Sequence, residues 1–149
     1  EHKGTLDKYM GDCVMAFWGM PTLNPQHALS CVRAAIDAQR AMYALNQKRA
    51  EANKQIEAEN LERIKNGEEP KQLNTLLALG TGINTGYAII GLMGSERHIL
   101  NYTVFGREVN IASRLEGVSG RGRIIIGEAT FAEIQRDDPA LAATCMELE

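Results

Sequence analysis

The 149-residue chain has only three cysteines, Cys13, Cys31 and Cys145, with no C-x-x-C pair among them. Odd in number and scattered, they form no disulfide framework, and a reducing, cytoplasmic setting is expected. Aromatic residues make up 5% of the chain, with a single Trp. No charge dominates: the formal net charge is −3, which leaves no basic footprint for a nucleic-acid partner. No apolar run reaches the length of a transmembrane helix, and the N-terminus shows no signal-peptide core. What the chain does have is 44% hydrophobic residues, 23% charged residues and fourteen glycines, an ordinary composition for a domain with a real core.

The most informative stretch is residues 5–19, TLDKYMGDCVMAFWG. Gly11-Asp12 predicts a tight hairpin with a type II′ turn, in which Met10 faces Cys13, Lys8 faces Met15 and Leu6 faces Phe17. Alternation then puts Leu6, Lys8, Met10, Cys13, Met15 and Phe17 on one face, with Tyr9, Val14, Ala16 and Trp18 on the other. Two polar residues stand out: Lys8 within the apolar face, and Asp12 at the open tip where a metal ion can approach. Taken alone, the stretch is read more simply as a lysine that snorkels to water and an ordinary turn aspartate.

Met20-Pro21 ends the second strand and Asn24-Pro25 marks a turn. A helix is predicted from about residue 26, its stripe formed by Leu29, Val32, Ile36, Gln39 and Tyr43. Residues 46–72 turn polar, with Ile56, Leu61 and Ile64 the larger apolar exceptions, and predict a solvated helical extension that stops near Gly67. Strands are expected over 76–84, 87–93 and 100–105, with a turn at Thr85-Gly86 and a loop at 94–97. A helix is expected over 108–116. It places Asn110 and Arg114 on one face, four residues apart, while Val109, Ile111, Ala112 and Leu115 supply the buried side. A basic glycine loop at 120–123, a buried strand at 124–126 and a short helix at 128–135 complete the pattern, with no internal repeat.

Three stretches, in order, resemble the catalytic domain of class III nucleotidyl cyclases: DKYMGDCVMAFWG at 7–19, GTGINTGYAIIGLMGS at 80–95 and NYTVFGREVNIASRLEG at 101–117, the last running on into GRIII at 122–126. The resemblance implies an α+β, ferredoxin-like core in which an antiparallel sheet carries helices on one face. It implies one cyclase domain over residues 1–149, with the polar extension at about 46–72. Carried over residue by residue, Asp12 falls on a metal-binding aspartate and Lys8 on the lysine that hydrogen-bonds adenine. Thr103 falls on the second base-reading position, which is Thr in one bacterial-type subgroup. Asn110 and Arg114 fall on the pair that orients the ribose and stabilises the transition state, and Arg123 on a phosphate-contacting arginine.

The function so implied is conversion of ATP to cyclic AMP and pyrophosphate, assisted by two divalent cations, Mg²⁺ or Mn²⁺. The implied assembly is a homodimer whose sites take Lys8, Thr103, Asn110 and Arg114 from one copy and Asp12 from the other. Lys8 favours ATP over GTP, because guanylyl cyclases usually carry Glu there. The Gly-Gly-Asp-Glu-Phe tip of diguanylate cyclases is absent. A non-catalytic nucleotide-binding or dimerisation module is the competing class. The family's first metal aspartate, on a strand before the hairpin, has no match in this chain, and neither does its C-terminal hairpin. The expectation is a domain truncated at both ends, with its central first strand missing. Asp7 is a poor stand-in for the first aspartate, since alternation sets it on the strand face opposite Lys8.

Overall fold

The computed structural model describes residues 2–93 and 101–148. The loop expected at 94–97, and Leu100 at the start of the third expected strand, lie outside the described residues.

The elements run β1 (Thr5–Met10), β2 (Cys13–Phe17), α1 (His27–Lys65), β3 (Thr81–Ile83), β4 (Ile89–Met93), β5 (Asn101–Phe105), α2 (Arg107–Ser119), β6 (Ile124–Ile126), α3 (Glu128–Asp137) and α4 (Pro139–Ala142). The strands pair two by two. β1–β2 and β4–β5 are antiparallel, while β3–β6 is parallel. The class is α+β as expected, but the continuous antiparallel sheet is replaced, among the described residues, by three separate pairs.

The β1–β2 hairpin keeps two of its three expected pairings, Met10 with Cys13 and Lys8 with Met15. Gly11 turns it at φ 64°, the left-handed value that a type II′ turn requires at its first central residue. The third pairing slips. The register shifts between Leu6 and Lys8, so Leu6 faces Ala16 and Thr5 faces Phe17. Asp7 is the extra residue of this bulge, and a bulge re-aims the side chains beside it. Leu6 thereby leaves the inward face and is 51% exposed.

The core gathers Val32 and Ala35 of α1, Ile83 of β3, Ile134 of α3 and Ala142 of α4, with Ile36, Ile124, Ile126, Phe131 and Leu141 around them. Cys31 packs against this cluster, and burial pushes its thiol up to about 12, so it stays protonated and inert at neutral pH. β3 lies directly against α2. A Cβ on Gly82 would collide with the α2 backbone at Ala112 and Glu116, so only glycine allows this approach. Asp138 then caps α4, its carboxylate accepting the Leu141 N–H at 3.0 Å.

The polar extension continues α1 without a break, making one helix of 39 residues. Its buried residues, Ala28, Leu29, Val32 and Ala35, are confined to the first part of its length. Tyr43, expected on the buried stripe, is 68% exposed. The chain then returns along the helix through residues 66–80. The buried strand expected over 76–84 shrinks to Thr81–Ile83, because the backbone before it is bonded to α1 side chains instead of another strand.

Those bonds follow a pattern. Asn46, Asn53 and Asn60 stand seven residues apart. Their amides clasp the backbone N–H and C=O of Leu77, Asn74 and Lys71 respectively, at 2.6–2.9 Å. Gln39, Arg49 and Arg63 add single bonds to the carbonyls of Leu79, Thr75 and Glu69. Seven helical residues advance about 10.5 Å, and three residues of threefold extended chain advance roughly 9–10 Å. The two repeats therefore stay in step, and a primary amide has the one acceptor and the donors that each clasp needs.

Candidate active site

β1 and β5 meet where the bulge turns Asp7 inward. The Thr103 hydroxyl donates to Asp7 Oδ2 at 2.7 Å, and the Val104 N–H donates to the same oxygen at 3.2 Å. That O···O distance is the usual one for an O–H···O hydrogen bond. Lys8 Nζ in turn donates to Thr103 Oγ1 at 3.0 Å. It also lies 3.5 Å from Asp7 Oδ1, an oxygen that has no hydrogen-bond partner among the described residues. The Asp7 side chain is 1% exposed and that of Lys8 is 43% exposed. The carboxylate is thus sealed in, while the ammonium, with three donors and one committed to Thr103, still faces outward. Phe17 of β2 and Tyr102 of β5, with ring centroids 6.4 Å apart, form an aromatic contact between the two antiparallel strand pairs.

The expectation that strand alternation separates Asp7 from Lys8 is overturned: both side chains converge on Thr103, because the bulge interrupts the alternation. Asp7 is the residue that reading the sequence missed. Its partners are 96 and 97 positions away, and the one local signal was an acid beside the lysine in the strand.

β5 leads through Gly106 into α2, which carries Asn110 and Arg114 one turn apart. Both are exposed, while Val109, Ile111, Ala112 and Leu115 are half-buried as expected. Arg123 lies elsewhere. Its guanidinium donates to the carbonyls of Ser119 at 2.6 Å and Val118 at 3.0 Å, closing the C-terminal end of α2. Gly120 and Gly122, with φ of 63° and 74°, make the tight path that brings it back there. Asp12 is exposed at the hairpin tip.

The carboxylate of Asp12 is the hard oxygen donor that Mg²⁺ or Mn²⁺ prefers. Among the described residues no cluster of three His, Cys, Asp or Glu side chains is placed to hold a metal ion. Asp12 could supply one oxygen ligand, and no further His, Cys, Asp or Glu cluster among the described residues completes a metal site with it. Asp7 is no substitute, being buried and bonded to Thr103 and Val104. Among the described residues no helix is long and apolar enough to cross a membrane.

Residues 2–145 match the family model described as the adenylate and guanylate cyclase catalytic domain. In sequence the chain is 30% identical over 120 residues to adenylate cyclase 1 of Rhizobium meliloti, covering 79% of this chain and 15% of that protein. In structure it superposes on the adenylyl cyclase CyaB from P. aeruginosa with a TM-score of 0.67 and 34% identity, covering 91% of this chain and 60% of that one. It superposes on the guanylyl cyclase Cya2 with a TM-score of 0.64 and 30% identity, covering 89% of this chain and 56% of that one. The chain thus spans less than two thirds of the length of each of these relatives. The matched family model, over nearly the whole chain, and the cyclase-like fold establish that this chain belongs to the class III nucleotidyl cyclase catalytic domain family.

Proposed function

We propose that this chain forms part of one adenylyl cyclase catalytic domain, in which the ribose 3′-hydroxyl of ATP attacks the α-phosphorus. A new O–P bond closes the cyclic phosphate and the hydroxyl proton passes to water, while the bond from the α-phosphorus to the bridging oxygen breaks and pyrophosphate leaves with the electron pair. Lys8 donates to N1 of adenine and Thr103 meets its 6-amino group. Asn110 orients the ribose, and the planar fork of Arg114 takes up charge that develops on the α-phosphate oxygens. Arg123 serves the phosphates once it releases the α2 carbonyls. Asp12 is a ligand for one of two divalent cations, Mg²⁺ or Mn²⁺. The chemistry supplied by such ions, when bound, is charge neutralisation on the phosphates and activation of the attacking hydroxyl.

The observation that carries this reading is the Lys8–Thr103 pair, which places the two base-reading side chains together at 3.0 Å. Positioning and charge stabilisation are what phosphoryl transfer asks of a protein. The partner is a second copy of the chain. The β1–β2 and β4–β5 pairs leave Tyr9, Val14, Ile89 and Leu92 more than half exposed, an apolar surface suited to burial between copies. A cytoplasmic site of action goes with the ATP substrate and the three free cysteines. The competing reading, a nucleotide-binding or dimerisation module without turnover, is favoured by the lone carboxylate at the hairpin tip.

Mixing two inactive variants separates the readings. Lys8→Ala and Asp12→Ala versions of the parent protein each spoil both sites of a homodimer, whereas a mixed dimer retains one intact site. An equal mixture that exchanges subunits freely is expected to recover about a quarter of the wild-type activity, since half the dimers are mixed and each has one good site of two. A mixture as inactive as its components contradicts the shared site.

A further inference from the structure

We infer that Asp7 sets the polarity of the Thr103 hydroxyl and thereby makes it a reader of the adenine amino group. The inference rests on the adenylyl cyclase reading above, and extends it to a residue outside the nucleotide-contacting set. A threonine hydroxyl is ambivalent: it has one proton to give and lone pairs to accept with. Here the proton is committed. It points to Asp7 Oδ2 at 2.7 Å, and the carboxylate is fixed in turn by the Val104 N–H at 3.2 Å. Asp7 is buried and Thr103 is 4% exposed, so water does not compete for either group.

With its proton turned inward, Thr103 can only accept from outside. The structure shows it accepting from a nitrogen donor, Lys8 Nζ, at 3.0 Å. The amino group of a base is a nitrogen donor of the same kind, and meets the same acceptor once Lys8 turns to the ring nitrogen. Adenine presents an N6 amino donor at its edge, and guanine an O6 acceptor. An acceptor-only Thr103 therefore pairs with adenine and opposes guanine. Without Asp7 the hydroxyl is free to turn round and donate to O6, so discrimination falls although Thr103 and Lys8 are unchanged. Asp7 is a positioning residue, acting through Thr103 and not by touching the nucleotide.

The test is the ratio of kcat/KM for ATP to that for GTP in the parent protein and its variants. The ratio is internal to each preparation, so a partly folded variant scales both terms alike. Asp7→Val removes the acceptor and is expected to lower the ratio about tenfold, the worth of one neutral hydrogen bond won or lost. Asp7→Asn keeps a carbonyl oxygen for Thr103 and Val104 and is expected to hold the ratio within about threefold. In a Thr103→Val background, Asp7→Val is expected to add no further change. Three results overturn the inference: an Asp7→Val variant that loses both activities in proportion, an Asp7→Asn variant that loses discrimination as fully as Asp7→Val, or an undiminished effect of Asp7→Val without the hydroxyl. A wild-type parent that makes neither cyclic nucleotide overturns instead the adenylyl cyclase reading on which it stands.

Discussion

Asp12→Ala in the parent protein is expected to take cyclic AMP formation below detection, a loss of more than about a thousandfold, while leaving the fold intact. The two halves of that expectation come from the same place in the structure. Asp12 is exposed at the tip of the β1–β2 hairpin. The turn is set by Gly11 at φ 64°, so removing the carboxylate leaves the hairpin geometry undisturbed. Surface changes of this kind usually stay within about 0.5 kcal/mol, or a Tm change of about 2 °C. The proposed catalytic role, by contrast, gives the carboxylate a metal to hold that no neighbouring cluster among the described residues can take over. Activity and thermal unfolding measured on one preparation decide the matter. Retained turnover in a folded protein excludes Asp12 as an essential ligand, and lost turnover with a collapsed Tm assigns it to the fold.

Arg114→Ala carries the second large effect, a fall in kcat of about 10²–10³ with KM changed far less. Arg114 lies on the exposed face of α2, opposite the half-buried Val109, Ile111 and Leu115. Its loss uncovers no core, and alanine is the better helix former. The proposed contact strengthens as charge moves onto the phosphate oxygens, which is why the loss falls on kcat. Lysine at this position restores the charge but not the two-pronged geometry, so Arg114→Lys is expected to recover only part of the loss. Equal losses in kcat for alanine and lysine, or a change confined to KM, contradict the transition-state role.

What the sequence discloses and what it hides divide along physical lines. The hairpin turn is legible because Gly11-Asp12 is a local signal with a local cause. The Asn110–Arg114 face is legible because helical spacing alone decides it. The bulge at Asp7 is not, since alternation is a rule about regular strands and nothing in TLDKYM marks the extra residue. The Asp7–Thr103 bond is hidden for another reason: it joins residues 96 positions apart, and no periodicity spans that gap. The polar extension is a middle case. Its composition reads as a solvated helix, and it is one, but the seven-residue spacing of Asn46, Asn53 and Asn60 is the sign that it clasps the returning chain. An asparagine at every seventh position is costly in a helix unless its amide is used. The segment 76–84 reads as a strand from its apolar run, yet that clasp takes the backbone groups a strand partner needs.

The measurement that bears most directly on the whole account is product formation by the parent protein with ATP and GTP in parallel, Mn²⁺ as the metal, and the Asp12→Ala variant as the control. The account predicts cyclic AMP well above the control and a clear preference over cyclic GMP. Nucleotide binding without either product, or cyclic GMP as the main product, contradicts it.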